Sequence, residues 1–330
     1  RAVSMPGEFE LIARYFAPLA AAAPGAFGLG NDAAILDPEP GNSMVVTTDA
    51  MVEGVHFLAD DTADLVARKL LRVNLSDLAA MGARPAGYVL TLALPPHLDE
   101  PWIAAFAEGL RADQDAFGIV LLGGDTVRTP GALTMTLTAL GQMPMGTALT
   151  RTGAQAGDLV YVSGTIGDGA LGLMALRGEL SGIGEADRVA LVERYHLPRP
   201  RLALGQALAA RRLATAALDV SDGLVADLGH IATGSGLAAR IEAVAVPLSA
   251  AARSALDRNQ GLREAILTGG DDYELLFTAP PAQAPVIAAL AGSLDLPLTR
   301  IGVLAAGAGV LAVDETGAAI HLTKAGWTHI

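Results

Sequence analysis

The sequence predicts an α/β (α+β) chain of two domains, and three observations carry the prediction. At 330 residues the chain is too long for one ordinary core. Helix-like and strand-like periodicities alternate in both halves. Between them lies a polar, glycine-rich seam, "TRTGAQAGD" at Thr150–Asp158, which sets the expected domains at 1–150 and 151–330.

In order along the chain, "GEFELIARYF" has apolar residues at helical spacing, and "SMVVTTDA" alternates at period two and reads as a strand that ends on Asp49. "TADLVARKLLRVNLSDLAAMGARP" is a long amphipathic helix closing at Gly82 and Pro85. "GYVLTLALP" is a strand, Pro101–Phe117 a helix, "GIVLL" a short strand, and "ALTMTLTALG" a further strand. The second half repeats the grammar. It has strand "LVYVSG", a helix after "TIGDGALG", the basic stretch "HLPRPR", a helix, strand "ALDV", helix "SDGLVADLGHIA" and strand "YELLF". The tripeptide "GGD" at Gly123–Asp125 and Gly269–Asp271 hints weakly at duplication.

Composition removes several function classes. Hydrophobic residues make up 52% and charged residues 17%, so a large core is easily buried and wholesale disorder is not expected. The 22 basic against 35 acidic residues give a formal charge of −13, which argues against nucleic acid or anionic lipid as partner. Lys69 and Lys324 are the only lysines. A phosphorylated ligand would therefore need another source of positive charge, and divalent cations are the obvious one; the plainer reading is that excess acid keeps the protein soluble. The absence of cysteine removes disulfides, thiolate metal sites and thiol nucleophiles. Thr129–Thr150 is uncharged and as long as a membrane span apart from Arg151 beyond it, but its prolines and its "LTMTLTAL" alternation make it a strand. Glu8 and Glu10 precede the apolar run at Tyr15–Gly30, the wrong order for a secretory signal, so the expected location is cytoplasmic and no membrane partner is expected.

The chemistry is carried by carboxylates. Asp32 lies in "GLGNDAAIL", Asp49 in the opening strand, Asp77 within an apolar helix, and Asp125 after "LLGG"; Asp219 and Asp222 flank Ser221 in "LDVSDG". Most border a glycine-rich or strand-end turn, where a side chain can project into a cleft. Magnesium takes hard oxygen ligands, usually a few carboxylates together with substrate phosphates. Without a cation, clustered carboxylates would repel and raise one another's pKa. Each residue also has a plainer use. Asp219 and Asp222 suit helix capping, Asp32 and Asp125 suit turns beside Asn31 and Gly124, and Asp77 suits an ion pair with Lys69 or Arg72 on its own helix.

Other signals are weaker. "GDGALG" at Gly167–Gly172 fits G-x-G-x-x-G, but the strand-ending acid of a dinucleotide site is missing, since Asp187 falls in a helical run. No P-loop motif occurs. His56 between Val55 and Phe57 reads as a half-buried structural histidine. "HLPRPR" reads as a solvated loop or, less simply, a phosphate clamp, and no hydrolase triad is visible.

In order along the chain, "GNDAA", "TTDAMVEGVHF", "NLSDLAAMGARP", "GGDT", "LTRTGAQAGD", "LDVSDGL", "GGDDYEL" and "GWTHI" resemble the motifs of the thiamine-monophosphate kinases. They span nearly the whole chain. The resemblance implies a two-domain aminoimidazole ribonucleotide synthetase-like fold, with N-terminal domains pairing into a barrel across a homodimer. The implied activity is ATP-dependent phosphorylation of thiamine monophosphate to thiamine diphosphate with several Mg2+ ions. By matching position, Asp32, Thr47, Thr48, Asp49, Asp77, Asp125, Asp219 and Asp222 resemble the family's magnesium ligands. Gly124, Asp125, Arg151 and Ser221 resemble its nucleotide contacts, and His56, Asp271 and Trp327 its substrate contacts. No residue is assigned as a general base. The family's "GGEDYEL" reads "GGDDYEL" here, so Asp271 is one methylene shorter than the usual glutamate, and "GWDHF" reads "GWTHI".

The implied chemistry is direct in-line attack by a phosphate oxygen, already anionic near neutral pH, on the γ-phosphorus of ATP. The obstacle is repulsion between two polyanions, so charge neutralisation and positioning should carry the catalysis. Three rivals are weighed. A selenophosphate synthetase normally relies on an N-terminal cysteine or selenocysteine, and the chain has none. An aminoimidazole ribonucleotide synthetase should lack "VEGVHF" and the tryptophan motif. A silent nucleotide- and cation-binding protein would release no ADP in response to thiamine monophosphate.

Overall fold

The computed structural model describes residues 7–327, and the chain divides into two compact units. The first comprises residues up to Leu78 together with Ala83–Met145; the second comprises Ala79–Gly82 and the chain from Gly146 onward.

The first unit opens with helix α1 (Glu8–Leu11), which widens into a π turn at Ile12–Phe16 and short 3₁₀ turns up to Leu29. The predicted single helix is thus broken, and Pro18 at the start of the first 3₁₀ turn removes a donor that a continuing α-helix would need. Then follow β1 (Asn42–Val52), α2 (Ala63–Met81), β2 (Arg84–Leu94), α3 (Glu100–Phe117), β3 (Leu121–Arg128) and β4 (Thr134–Pro144). Asp99 caps α3 by accepting the amide of Trp102 at 3.1 Å. The strands order β1-β4-β2-β3, with β2 and β3 parallel and the other pairs antiparallel. Alternate residues of β2 and β4, among them Leu90, Leu92, Met135 and Leu137, are buried, as are Leu70, Leu71 and Leu75 on α2 and Ile103, Phe106 and Leu110 on α3. Each such burial is worth about 1.5–3 kcal/mol. The opposite face of the sheet stays open, with Val46 62% exposed.

The second unit continues with β5 (Leu159–Ser163), α4 (Asp168–Leu176), α5 (Glu185–His196), α6 (Leu202–Ala210), β6 (Ala216–Asp219), α7 (Leu224–Ser235), β7 (Ala238–Glu242), α8 (Ala250–Arg258), α9 (Leu262–Thr268), β8 (Leu275–Ala279), α10 (Ala284–Leu294), β9 (Leu298–Ala305) and β10 (Gly309–Val313). Its six-stranded sheet runs β10-β7-β9-β5-β8-β6, antiparallel except for β10 with β7. Val160, Val162, Leu218, Leu276, Ile241 and Ile301 from the sheet join Leu171, Leu228 and Ile231 from the helices in one core.

Several expectations shift. β1 does not end on Asp49 but runs on to Val52, because Met51 and Val52 pair with Met135 and Thr134. The strand read over "GIVLL" begins at Leu121 and continues through "GGDTVR", held by β2. The helix read from Ser221 begins at Leu224. Thr129–Thr150 carries the predicted strand, β4, and among the described residues no helix is long and apolar enough to cross a membrane.

Candidate functional site

On β1, Thr47 and Asp49 are half-buried, whereas Thr48 and Ala50 are exposed, as successive strand side chains must point to opposite faces. Thr47 Oγ1 donates to Asp77 Oδ2, so Thr47 and Asp49 face α2 and the carboxylate it carries. The Thr48 hydroxyl lies on the other face, donating to the Leu137 carbonyl at 3.2 Å and accepting from Thr138 at 3.0 Å. Arg72, a sequence candidate for pairing with Asp77, gives Nε and Nη2 to the buried Asp113 at 2.6 and 2.9 Å. Asp32, Gly124 and Asp125 line one cavity of about 130 Å³, together with Asn31, Leu90 and Leu121. A side chain at Gly124 would come within 1.9 Å of the Leu90 carbonyl oxygen, so the close approach of β3 to β2 requires glycine there.

His56 sits in the turn after β1. Its amide donates to the Val52 carbonyl at 3.0 Å, and its Nδ1 accepts the Val52 amide at 3.1 Å. A ring nitrogen that accepts carries no proton, so the neutral imidazole bears its hydrogen on Nε2. The buried Lys69 reaches the His56 carbonyl at 3.4 Å.

In the second unit, Asp219 ends β6, buried, and Val220–Gly223 forms the turn into α7. Neither Asp219 nor Asp222 caps α7. The amides of Ser221, Asp222 and Gly223 all donate to Asp227 Oδ2, at 3.0, 3.0 and 3.1 Å, from inside the helix. Burial, and then the charge of Asp222, pushes the Asp227 carboxyl up to about 7 against the pull of these amides. Ligand atoms of Asp222, Asp227 and His230 lie within 4.8 Å of one another, a set of potential metal ligands that the sequence reading missed.

A second turn, Gly269–Glu274, is laced to the first. The Asp271 amide donates to the Ser221 carbonyl at 3.0 Å, the Tyr273 amide to Val220 at 2.8 Å, and the Val220 amide to Glu274 at 2.8 Å. The Trp327 amide donates to the Asp222 carbonyl at 2.9 Å, and its side chain is 52% exposed. Upstream, Thr323 gives its amide and hydroxyl to Glu264 Oε1, bonds that hold the Glu264 carboxyl below its usual range. Ser221, Asp222, Asp271 and Trp327 therefore gather on one hydrogen-bonded backbone. Exposed Arg151 stands nearby in the chain order of the sheet edge, since the carbonyl of Thr150 accepts the amide of Ala217 on β6 at 2.8 Å. The rest of the "GWTHI" motif, Thr328, His329 and Ile330, lies outside the described residues.

The remaining acids of "GGDDYEL" turn inward. Asp272 is buried and accepts the amides of Gly167 and Gly169 at 2.7 and 3.0 Å, and burial raises its carboxyl well above the usual range. It occupies the "GDGALG" turn that the sequence offers to a phosphate. Glu274, also buried, takes Arg201 Nε at 2.6 Å, Arg194 Nη2 at 3.0 Å and the Ser163 hydroxyl at 2.6 Å. Arg201 of "HLPRPR" is thus part of a buried ion network and neither a solvated loop residue nor a phosphate clamp. A doubly acidic turn opening onto an apolar strand was the signal available for both.

Residues 30–143 match the family described as AIR synthase related protein, N-terminal domain, and residues 155–314 the corresponding C-terminal domain. A thiamine-monophosphate kinase of Caulobacter vibrioides is 44% identical over 99% of this chain and 92% of its own length. The crystal structure of a thiamine-monophosphate kinase from Stenotrophomonas maltophilia is 48% identical, with a TM-score of 0.80 over 88% of this chain and 91% of that one. A structure described as AaThiL complexed with AMPPCP and TMP is 30% identical, with a TM-score of 0.77 over 93% of this chain and 97% of that one.

Proposed function

The chain belongs to the thiamine-monophosphate kinase family, built on the two AIR synthase related domains, and from that premise we propose that it phosphorylates thiamine monophosphate with ATP. The products are thiamine diphosphate and ADP. A terminal oxygen of the acceptor phosphate attacks the γ-phosphorus in line, the new P–O bond forms as the bond to the β-phosphate bridging oxygen breaks, and no phospho-enzyme is made. The acceptor oxygen is anionic near neutral pH, so no general base is needed.

The donors fit magnesium. Asp32, Thr47, Thr48, Asp49, Asp77 and Asp125 on the first unit and Asp219 and Asp222 on the second offer only hard oxygen atoms. These residues would hold several Mg2+ ions. Bound magnesium supplies neutralisation of phosphate charge in a chain of formal charge −13. Asp77 fixes Thr47, and Asp227 fixes the amides beneath Asp222, so both donors are held in place before a ligand arrives. Gly124, Asp125, Arg151 and Ser221 bind the nucleotide, with Arg151 a fixed cation; His56, Asp271 and Trp327 bind the acceptor. Two copies pair through the open face of the four-stranded sheet around Val46. ATP as phosphoryl donor favours a cytoplasmic setting.

The observation that best supports this reading is the backbone lacing of Ser221 and Asp222 to Asp271 and Trp327, which puts nucleotide, metal and acceptor contacts on one scaffold. A coupled ADP assay with thiamine monophosphate, thiamine or water as acceptor, with and without magnesium, tests it. ADP release should require both thiamine monophosphate and magnesium; release indifferent to the acceptor would refute the assignment.

A further inference from the structure

Two side-chain-bearing residues of the Gly269–Glu274 turn hold left-handed backbone, Asp271 at φ 71° and Tyr273 at φ 51°. The region is uncommon for any residue but glycine, and for a bulky tyrosine it is an outlier, costing on the order of 1–3 kcal/mol wherever the surroundings enforce it. Between the two sits Asp272, whose side chain points the opposite way, into the protein, and uses both oxygens on the amides of Gly167 and Gly169 at the start of α4. The start of a helix carries free amides and the positive end of its dipole, so a carboxylate is held there firmly.

A second contact reports the same coupling from the helix side. A Cβ added at Gly169 would lie 2.3 Å from the Asp271 carbonyl oxygen and 2.9 Å from the Asp271 Cβ. The first turn of α4 and the main chain of Asp271 are therefore packed backbone to backbone, with no side chain between them. Asp271 in turn is fixed on its other side by the Ser221 carbonyl.

We propose that Asp272 is a positioning residue for acceptor recognition: by clamping the turn to the start of α4 it holds Asp271 in left-handed backbone and so aims the Asp271 carboxylate at the thiamine monophosphate. The proposal rests on the acceptor role given to Asp271 above. It also bears on the shorter acid at that position. Asp271 has one methylene less reach than glutamate, so its direction depends more closely on the backbone angle that the clamp sets.

Asp272→Asn keeps the shape but leaves one amide facing an NH2 group instead of an oxygen. Gly169→Ala leaves Asp272 intact and pushes on the Asp271 main chain directly. Steady-state kinetics of the full chain should show KM for thiamine monophosphate raised about tenfold to a hundredfold in each variant. KM for ATP should stay within about twofold, which a general loss of folded enzyme would not produce. Combining Asp272→Asn with Asp271→Ala should add little to Asp271→Ala alone, because both act through one contact. A raised KM in Asp271→Ala with an unaltered KM in Gly169→Ala and in folded Asp272→Asn overturns the positioning role and spares the acceptor role of Asp271. Full additivity in the double variant also overturns the positioning role. An unaltered KM in Asp271→Ala overturns both together.

Discussion

The amide of Trp327 is hydrogen-bonded to the carbonyl of Asp222 at 2.9 Å, which docks the end of the described chain onto the turn that carries the second unit's candidate metal and nucleotide residues. The indole, half exposed beside that turn, is presented as an open aromatic face. Trp327→Ala should raise KM for thiamine monophosphate about tenfold, equivalent to about 1.4 kcal/mol of lost binding, while Trp327→Phe keeps most of it. Initial-rate kinetics in both substrates reads the difference.

Asp219→Asn and Asp222→Asn each remove a negative charge with little change of shape. Turnover should fall by about 100-fold or more in each, as expected when charge stabilisation at phosphoryl groups is lost. Thermal melts should show the fold intact. Activity within a few-fold of the parent in both would remove these aspartates from the metal set.

Asp227 gives a pH prediction with a definite sign. Its carboxyl titrates near 7 in the folded chain, above the roughly 3.9 of an unfolded aspartate, so the native state binds this proton more tightly. Its contribution to stability is complete below about pH 4 and is lost as pH rises toward 7. In chelator-containing buffer, the urea midpoint of the parent should carry a downward slope over that window which Asp227→Asn lacks. Equal slopes in the two proteins would contradict the shift.

Glu274 and Arg201 form a buried pair, and removing one partner strands the other. Arg201→Ala or Glu274→Gln should destabilise the second unit by about 3–5 kcal/mol in equilibrium denaturation. The exposed pair Arg188–Glu185 is the control: Arg188→Ala should leave the midpoint almost unmoved.

His56 offers its Nδ1 to the Val52 amide, a geometry that asparagine can imitate better than glutamine. His56→Asn should retain the parent's thermal midpoint more closely than His56→Gln, and both should bind thiamine monophosphate more weakly if Nε2 is the atom presented to it. Melting curves and isothermal titration separate the two effects.

Much of this molecule was legible in its residues, for reasons that are local. Period-two alternation marked β1 and β4, and glycine after an apolar helix marked the end of α2, where Gly82 takes φ 79°. What escaped was decided at long range. Asp49 looks terminal in "VVTTDA" because the partners of Met51 and Val52 lie on β4, more than eighty residues away. Asp222 looks like a helix cap until Asp227 is seen to take the amides itself. β7, β9 and β10 carry short, mixed patterns whose pairing is set by the sheet and not by the segment, and α8 to α10 are alanine-rich helices with weak faces. Among the candidate site residues, types and turns were readable. The opposite orientation of Thr48 and the inward roles of Asp272, Glu274 and Arg201 depend on which face a backbone presents, and composition does not encode that.

A glycine-rich turn opening a helix is, in many nucleotide-binding folds, a vacant seat for a diphosphate. Here the seat at Gly167 and Gly169 is taken by a carboxylate from the chain itself. The motif acts as a latch between two segments a hundred residues apart, closed when the domain folds, and free pyrophosphate or a dinucleotide finds nothing to grip there. What the pattern G-x-G-x-x-G advertises to a sequence search is, in this protein, an intramolecular imitation of phosphate binding.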